Sequence, residues 1–128
     1  FEAEVMRLTN GEGVNVAYDS VGNDTMARTI TSTKRRGTII AFGQSSGPYT
    51  DFKITDLSKG SYYLSRPTLF HFVGDRSWLD TASVKLFKAV TDGTINVSIN
   101  QRFALEDVAK AHEALTGRAT TGCTILTV

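Results

Sequence analysis

The segment Gly43-Gln44-Ser45-Ser46-Gly47 fits the pattern G-x-S-x-G, in which a serine hydroxyl raised on a sharp turn can attack a carbonyl carbon. Aspartates and the histidines His71 and His112 follow it, in the chain order that α/β-hydrolases use. That chemistry also requires a helix to begin directly after the serine, because the strained turn and the helix N-terminus together expose the hydroxyl and form the oxyanion site. Gly47-Pro48-Tyr49-Thr50 follows instead and does not read as a helix interior. A hydrolase with Ser45 as nucleophile is therefore a rival reading that lacks its structural context. A second possibility is a phosphate-binding glycine loop. Gly11-Glu12-Gly13 precedes an expected strand and does not link a strand to a helix, so its amides would not gather at a helix N-terminus.

The elements that must position these residues follow from periodicity. Val5 and Leu8 mark a short helical face that ends at Thr9-Asn10-Gly11. The run Val14 to Tyr18 predicts a strand buried on both faces, followed by a turn at Asp19-Ser20-Val21-Gly22-Asn23. A helix is expected from Asp24 to Lys34, with Met26, Ala27 and Ile30 inward and Arg35, Arg36 and Gly37 at its end. Thr38 to Phe42 predicts a second buried strand, and Ser61 to Arg66 a third, stopped by Pro67. Strand, helix, strand, crossover, strand implies right-handed parallel connections in part of a doubly wound sheet. Farther on, Leu79, Ala82, Leu86, Phe87 and Val90 mark a helix from about Ser77 to Asp92, stopped by Gly93. An extended stretch from Ile95 to Leu105 follows, then a helix from Glu106 to about Thr116 with Val108, Ala111, His112 and Leu115 inward, then a strand from Cys123 to Val128.

Composition bounds the function. The 128 residues are 41% hydrophobic and 21% charged, which suits a globular fold. A net charge of +1 gives no footprint for nucleic acid or an anionic membrane, and no apolar run approaches membrane-spanning length. Lys34-Arg35-Arg36 reads as a solvated helix end. The single cysteine excludes an internal disulfide framework and fits a reducing compartment such as the cytoplasm; Cys123 itself is expected to be a small buried hydrophobe. His71, between Phe70 and Phe72, and His112 are expected to pack in the structure, with no metal ligands spaced around them. The start at Phe1 and the mid-protein character of the first residues suggest a fragment.

Four segments, VAYDSVGNDT, RRGTIIAFGQSSGP, GSYYLSRPTL and RATTGCTILTV, occur in an order that resembles the C-terminal portion of zinc-independent NADPH:quinone oxidoreductases. These form the zeta-crystallin-like branch of the medium-chain dehydrogenase/reductase superfamily, and the resemblance covers essentially the whole chain. It implies the second half of a Rossmann-type doubly wound sheet over residues 1–93, and a C-terminal strand-helix-strand piece of the catalytic domain over 94–128. The pyrophosphate loop would belong to the other half of the fold.

The resemblance also implies a cofactor site for NADPH. Phe42, Gly43, Gln44 and Ser45 would lie beside the nicotinamide and its ribose, at the C-terminal edge of the strands where open α/β sheets bind ligands. Asp19, Ser20, Val21 and Gly22 would lie near the adenosine side, Leu64, Ser65 and Arg66 near the nicotinamide amide, and Arg118 would pair with a phosphate or ribose oxygen. Hydride would pass from the nicotinamide to a quinone or an enone. No acid or base in the chain stands out as a proton donor. Related zinc enzymes take their ligands from upstream, so the zinc-free assignment rests on the resemblance alone. The edge strand Ser61 to Arg66 would pair across a two-fold axis in a homodimer. The alternative from another class is a non-catalytic dimerisation or half-cofactor module.

Overall fold

A computed structural model describes residues 1–128, which form two compact units, Phe1–Phe72 and Val73–Val128. In the first unit, α1 (Glu2–Leu8) has Glu2 and Glu4 in its first turn and Arg7 in its last, the charge order that the helix dipole favours. Thr9 closes it, donating to the Val5 carbonyl at 2.8 Å and accepting from the Gly13 amide at 2.9 Å. Strands β1 (Val14–Asp19), β2 (Thr33–Ala41) and β3 (Tyr63–Ser65) then form a parallel sheet in the order β1-β2-β3. Parallel neighbours need crossovers, supplied by α2 (Met26–Thr31) and by a 3-10 turn over Ile54–Lys59. The core lies where α2 meets the sheet: Ile39 is wholly buried, with Met26, Ile30 and Ala41 around it and Tyr49, Phe52 and Tyr62 packed against them.

Several local expectations are corrected. The helix expected from Asp24 to Lys34 is confined to Met26–Thr31, and Ala27 is exposed while Thr29 is buried. Lys34, Arg35 and Arg36 belong to β2. The Val14 amide donates to the Ser32 carbonyl at 2.9 Å and Val14 pairs with Thr33, so sheet pairing captures the chain as soon as α2 ends. Three extra residues then bulge from β2 before Val16 pairs with Thr38; Arg36 takes a left-handed φ of 61° there and its amide donates to the Gly60 carbonyl at 2.7 Å. β1 is not covered on both faces: Val16 and Tyr18 are exposed, because α2 covers one side of the sheet only. The third strand is shorter than Ser61 to Arg66, and all three of its residues are exposed.

A single turn of helix, α3 (Phe70–Val73), closes the first unit, and the second opens with α4 (Arg76–Thr91). Asp75 caps α4, its Oδ1 accepting from the Ser77 and Trp78 amides at 2.9 and 3.2 Å, and the chain turns at Gly93 with φ of 79°, where a stop was expected. β4 (Ile99–Ala104) pairs parallel with β5 (Cys123–Thr127). They are joined by a 3-10 turn at Leu105–Asp107, which takes in Glu106, and by α5 (Val108–Thr116). This is the expected strand-helix-strand unit, but its apolar faces are bare: only Ala111 of α5 is buried, and Leu86 and Phe87 of α4 are exposed. His112 and Cys123, expected to be buried, are exposed. No helix is long and apolar enough to cross a membrane.

One side chain ties β1 to α2. Asp19, only 4% exposed, accepts from the Val21 and Gly22 amides at 2.9 Å each, from the Thr29 hydroxyl at 2.7 Å, and from the Thr25 hydroxyl at 2.8 and 3.0 Å. Burial pushes against ionisation, but the donors of Gly22, Thr29, Thr25 and Val21 outweigh it and hold the carboxyl below its ordinary range. Because the folded-state value is depressed, the stabilisation is complete above the ordinary value of 3.8 and is lost as pH falls through the lower, folded value. Asp19→Ala should destabilise the protein by about 2–3 kcal/mol in denaturant unfolding at neutral pH. Asp19→Asn, which keeps an acceptor for the two amides, should cost less and should flatten the acid limb of the stability curve. An unchanged acid limb in Asp19→Asn would refute this account.

Candidate functional site

The three strands of the first sheet run in the same direction, so their C-terminal ends share one edge, and most of the residues singled out in the sequence lie there. After β1 the chain turns through Ser20 to Thr25; after β2 it passes through Phe42 to Gly47. Backbone bonds join the two segments: the Phe42 and Gly43 amides donate to the Asp19 carbonyl at 2.9 and 3.3 Å, Ser45 to Ser20 at 3.3 Å, Ser46 to Val21 at 2.9 Å, and Asn23 to Gly47 at 3.0 Å. Two glycines permit this approach. A Cβ on Gly43 would lie 2.4 Å from the Ser20 carbonyl oxygen. A Cβ on Gly22, whose φ is 89°, would lie 2.5 Å from the Gly47 oxygen.

Ser46 supplies the side-chain tie. Its hydroxyl donates to the Val21 carbonyl at 2.7 Å and accepts from the Asp24 amide at 3.0 Å, bridging residues more than twenty positions away in sequence. Ser45, the position that the G-x-S-x-G pattern singles out, is exposed, and the next helical turn begins only at Ile54. The nucleophile elbow is therefore not formed. Ser46 ties the turn, and Thr25 and Thr29 are the residues that sequence reasoning missed. A threonine just before a short helix and another four residues on, on its inward side, following an Asp-ended strand, are the signal that could have found them.

The edge opens into a cleft of about 260 Å³. Gly22, Gly43, Gln44, Leu64 and Arg66 line it together with Met26, Ala41 and Phe52, so five of the predicted residues, from all three strand ends, converge. The floor is apolar, and Gln44 and Arg66 give it an amide and a guanidinium, the arrangement that orients a flat, partly polar ligand. A second hollow of about 190 Å³ is lined by Asp19, Ser20 and Val21 with Phe1 and Tyr18. Phe42 is half exposed beyond the end of β2, and Ser65 is exposed at the end of β3. Arg118 belongs to the second unit, where it follows α5 with φ of 56° and its amide donates to the Leu115 carbonyl at 3.1 Å.

Chemistry at this edge is limited by what Asp19 occupies. In a phosphate-binding loop, amides after a strand turn towards the ligand. Here the amides of Val21 and Gly22 turn onto an internal carboxylate, which already supplies the negative charge. The turn after β1 thus provides no cradle for a phosphate. Gly13, with φ of 81°, serves packing, since a Cβ there would lie 2.6 Å from the Ser32 carbonyl oxygen. The chain has no group of three His, Cys, Asp or Glu side chains able to hold a metal ion.

Comparison with known proteins agrees with this architecture. The family model for zinc-binding dehydrogenases matches residues 1–126. The quinone oxidoreductase of Salmonella typhimurium is 42% identical over 125 residues, and the 2-haloacrylate reductase of a Burkholderia species 39% identical over 127; the matches cover 95% and 97% of this chain. The chain spans 38% of the length of each. The crystal structure of Escherichia coli quinone oxidoreductase complexed with NADPH superposes with a TM-score of 0.88 at 38% identity, covering 98% of this chain and 40% of that one. The chain belongs to the zinc-binding dehydrogenase family, and its α/β fold of parallel strands corresponds to the C-terminal part of the quinone oxidoreductases within it.

Proposed function

We propose that this chain forms the nicotinamide side of the cofactor site in an NADPH-dependent oxidoreductase that reduces quinones or α,β-unsaturated carbonyl compounds. The observation that carries the reading is the convergence of Gly22, Gly43, Gln44, Leu64 and Arg66 on one cleft at the C-terminal edge of a parallel sheet. Residues 1–93 would complete the dinucleotide-binding domain, and 94–128, with Arg118, would belong to the catalytic domain. Bound NADPH would supply the hydride. The residues of the chain bind and orient. Gly43 and Gly22 let backbone approach a ring closely, Gln44 offers an amide to its polar substituent, and Arg66 presents a guanidinium to an anionic or carbonyl oxygen. Met26, Ala41 and Leu64 keep water from one side of the cleft. Asp19 acts by shaping the turn, because its carboxylate is already surrounded by donors.

A second reading concerns assembly. β3 is an edge strand with all its residues exposed, and such an edge is a template for pairing. Two copies joined edge to edge through Ser61 to Arg66 would form one continuous sheet.

Three outcomes are expected of the full-length protein. NADPH should lose its reduced-nicotinamide absorbance when a simple benzoquinone is added with catalytic amounts of protein. Absence of both turnover and NADPH binding would remove the reading. Gly43→Ala, by forcing the Ser20 and Gly43 segments apart, should weaken NADPH binding at least about tenfold in a fluorescence titration, with the fold retained by circular dichroism. Sedimentation velocity should show a dimer at micromolar concentration, and a monomer would discard the edge-pairing model.

A further inference from the structure

We propose that Ser46 is a positioning residue for the cofactor cleft, setting the separation of its two glycine walls; this rests on the cofactor reading above and extends it to a residue outside the predicted contact set. The Ser46 hydroxyl both donates to the Val21 carbonyl and accepts from the Asp24 amide. It therefore holds the turn carrying Gly22 against the loop carrying Gly43 and Gln44, and all three residues line the cleft. The two segments already lie at the limit of approach: the ideal Cβ of Gly22 would sit 3.1 Å from the Gln44 Cα as well as 2.5 Å from the Gly47 oxygen. A contact this close is kept only while something draws the segments together, and Ser46 is the side chain that spans them. Its amide also donates to Val21 at 2.9 Å, so backbone and hydroxyl act on the same carbonyl. Ser46 does not itself line the cleft, so its effect passes through Gly22, Gly43 and Gln44.

The test uses the full-length protein with three readouts: NADPH affinity by fluorescence titration, melting temperature without ligand, and the split between KM and kcat for a benzoquinone. Ser46→Ala should raise the NADPH dissociation constant about fivefold to tenfold, the scale of one or two neutral hydrogen bonds. It should leave kcat at saturating NADPH within about twofold, since no transition-state contact is removed. Ser46→Thr, which keeps the hydroxyl, should retain wild-type affinity. A Ser46→Ala protein with lowered melting temperature and unchanged NADPH affinity would show a merely structural serine and overturn the proposal. Loss of affinity in Ser46→Thr equal to that in Ser46→Ala, with melting temperature preserved, would overturn it too. If Ser46→Ala fails to fold, Ser46→Cys, which weakens both hydrogen bonds at nearly constant volume, takes its place, and unchanged NADPH affinity in it overturns the proposal. Failure of the unmodified protein to bind NADPH would instead refute the cofactor reading, and the proposal with it.

Discussion

The carboxylate of Asp19 is the fixed point of the first unit. It sits at the last position of β1 and gathers donors from the turn that follows and from the helix beyond it, so strand end, turn and α2 become one hydrogen-bonded body. Its backbone carbonyl, accepting from Phe42 and Gly43, links the same body to the end of β2. A charged group withdrawn from water is tolerable only when its lone pairs are met, and here they are met entirely by neighbours in the chain. That settles the chemistry open to this turn. With an anion built in, the amides that elsewhere would receive a phosphate are already committed, and the strand-turn-helix unit is a scaffold for its neighbour loop more than a ligand cradle.

The second constraint is close packing of backbone on backbone. Gly22 and Gly43 face the opposing loops at distances no Cβ could share, while Gly47, across the same turn, has open space around the position a side chain would take. Each glycine is thus required for its own reason: contact distance at Gly22 and Gly43, and at Gly47 the left-handed φ of 101°, which an L side chain rarely adopts. The apolar inventory is uneven. Around Ile39 the core is small, and large side chains such as Tyr18, Tyr63 and Phe70 remain exposed.

Much of the architecture was legible because it rests on local signals. The stop at Gly93, the apolar run of β1 and the chain-order pattern of strand and helix depend on residues adjacent in sequence. The parallel sense of the sheet follows from the crossovers. What escaped detection depends on distant partners. The start of α2 is shifted past Asp24, whose amide meets the Ser46 hydroxyl, and its end is cut short because the chain pairs with Val14. Arg36 has nothing local to recommend a left-handed conformation; the Gly60 carbonyl holds it there. His112 and Cys123 were expected inside because periodicity names the inward face without saying whether anything covers it. At the site, the serine pattern drew attention to Ser45, whereas the hydroxyl engaged in the structure is that of the next residue.

The walls of the cleft differ in how firmly they are held. Gly22 and Gly43 stand on segments tied by Asp19 and Ser46. Leu64 and Arg66 come from or adjoin β3, which is three residues long, has no buried residue and is bonded on one side only. Elements with few buried contacts open locally at low free energy, long before the rest of the domain. The β3 wall is therefore the side of the cleft held by the fewest contacts, and the Asp19 side is the firmer one. A strand pairing with that free edge would add hydrogen bonds to the weaker wall and stiffen it.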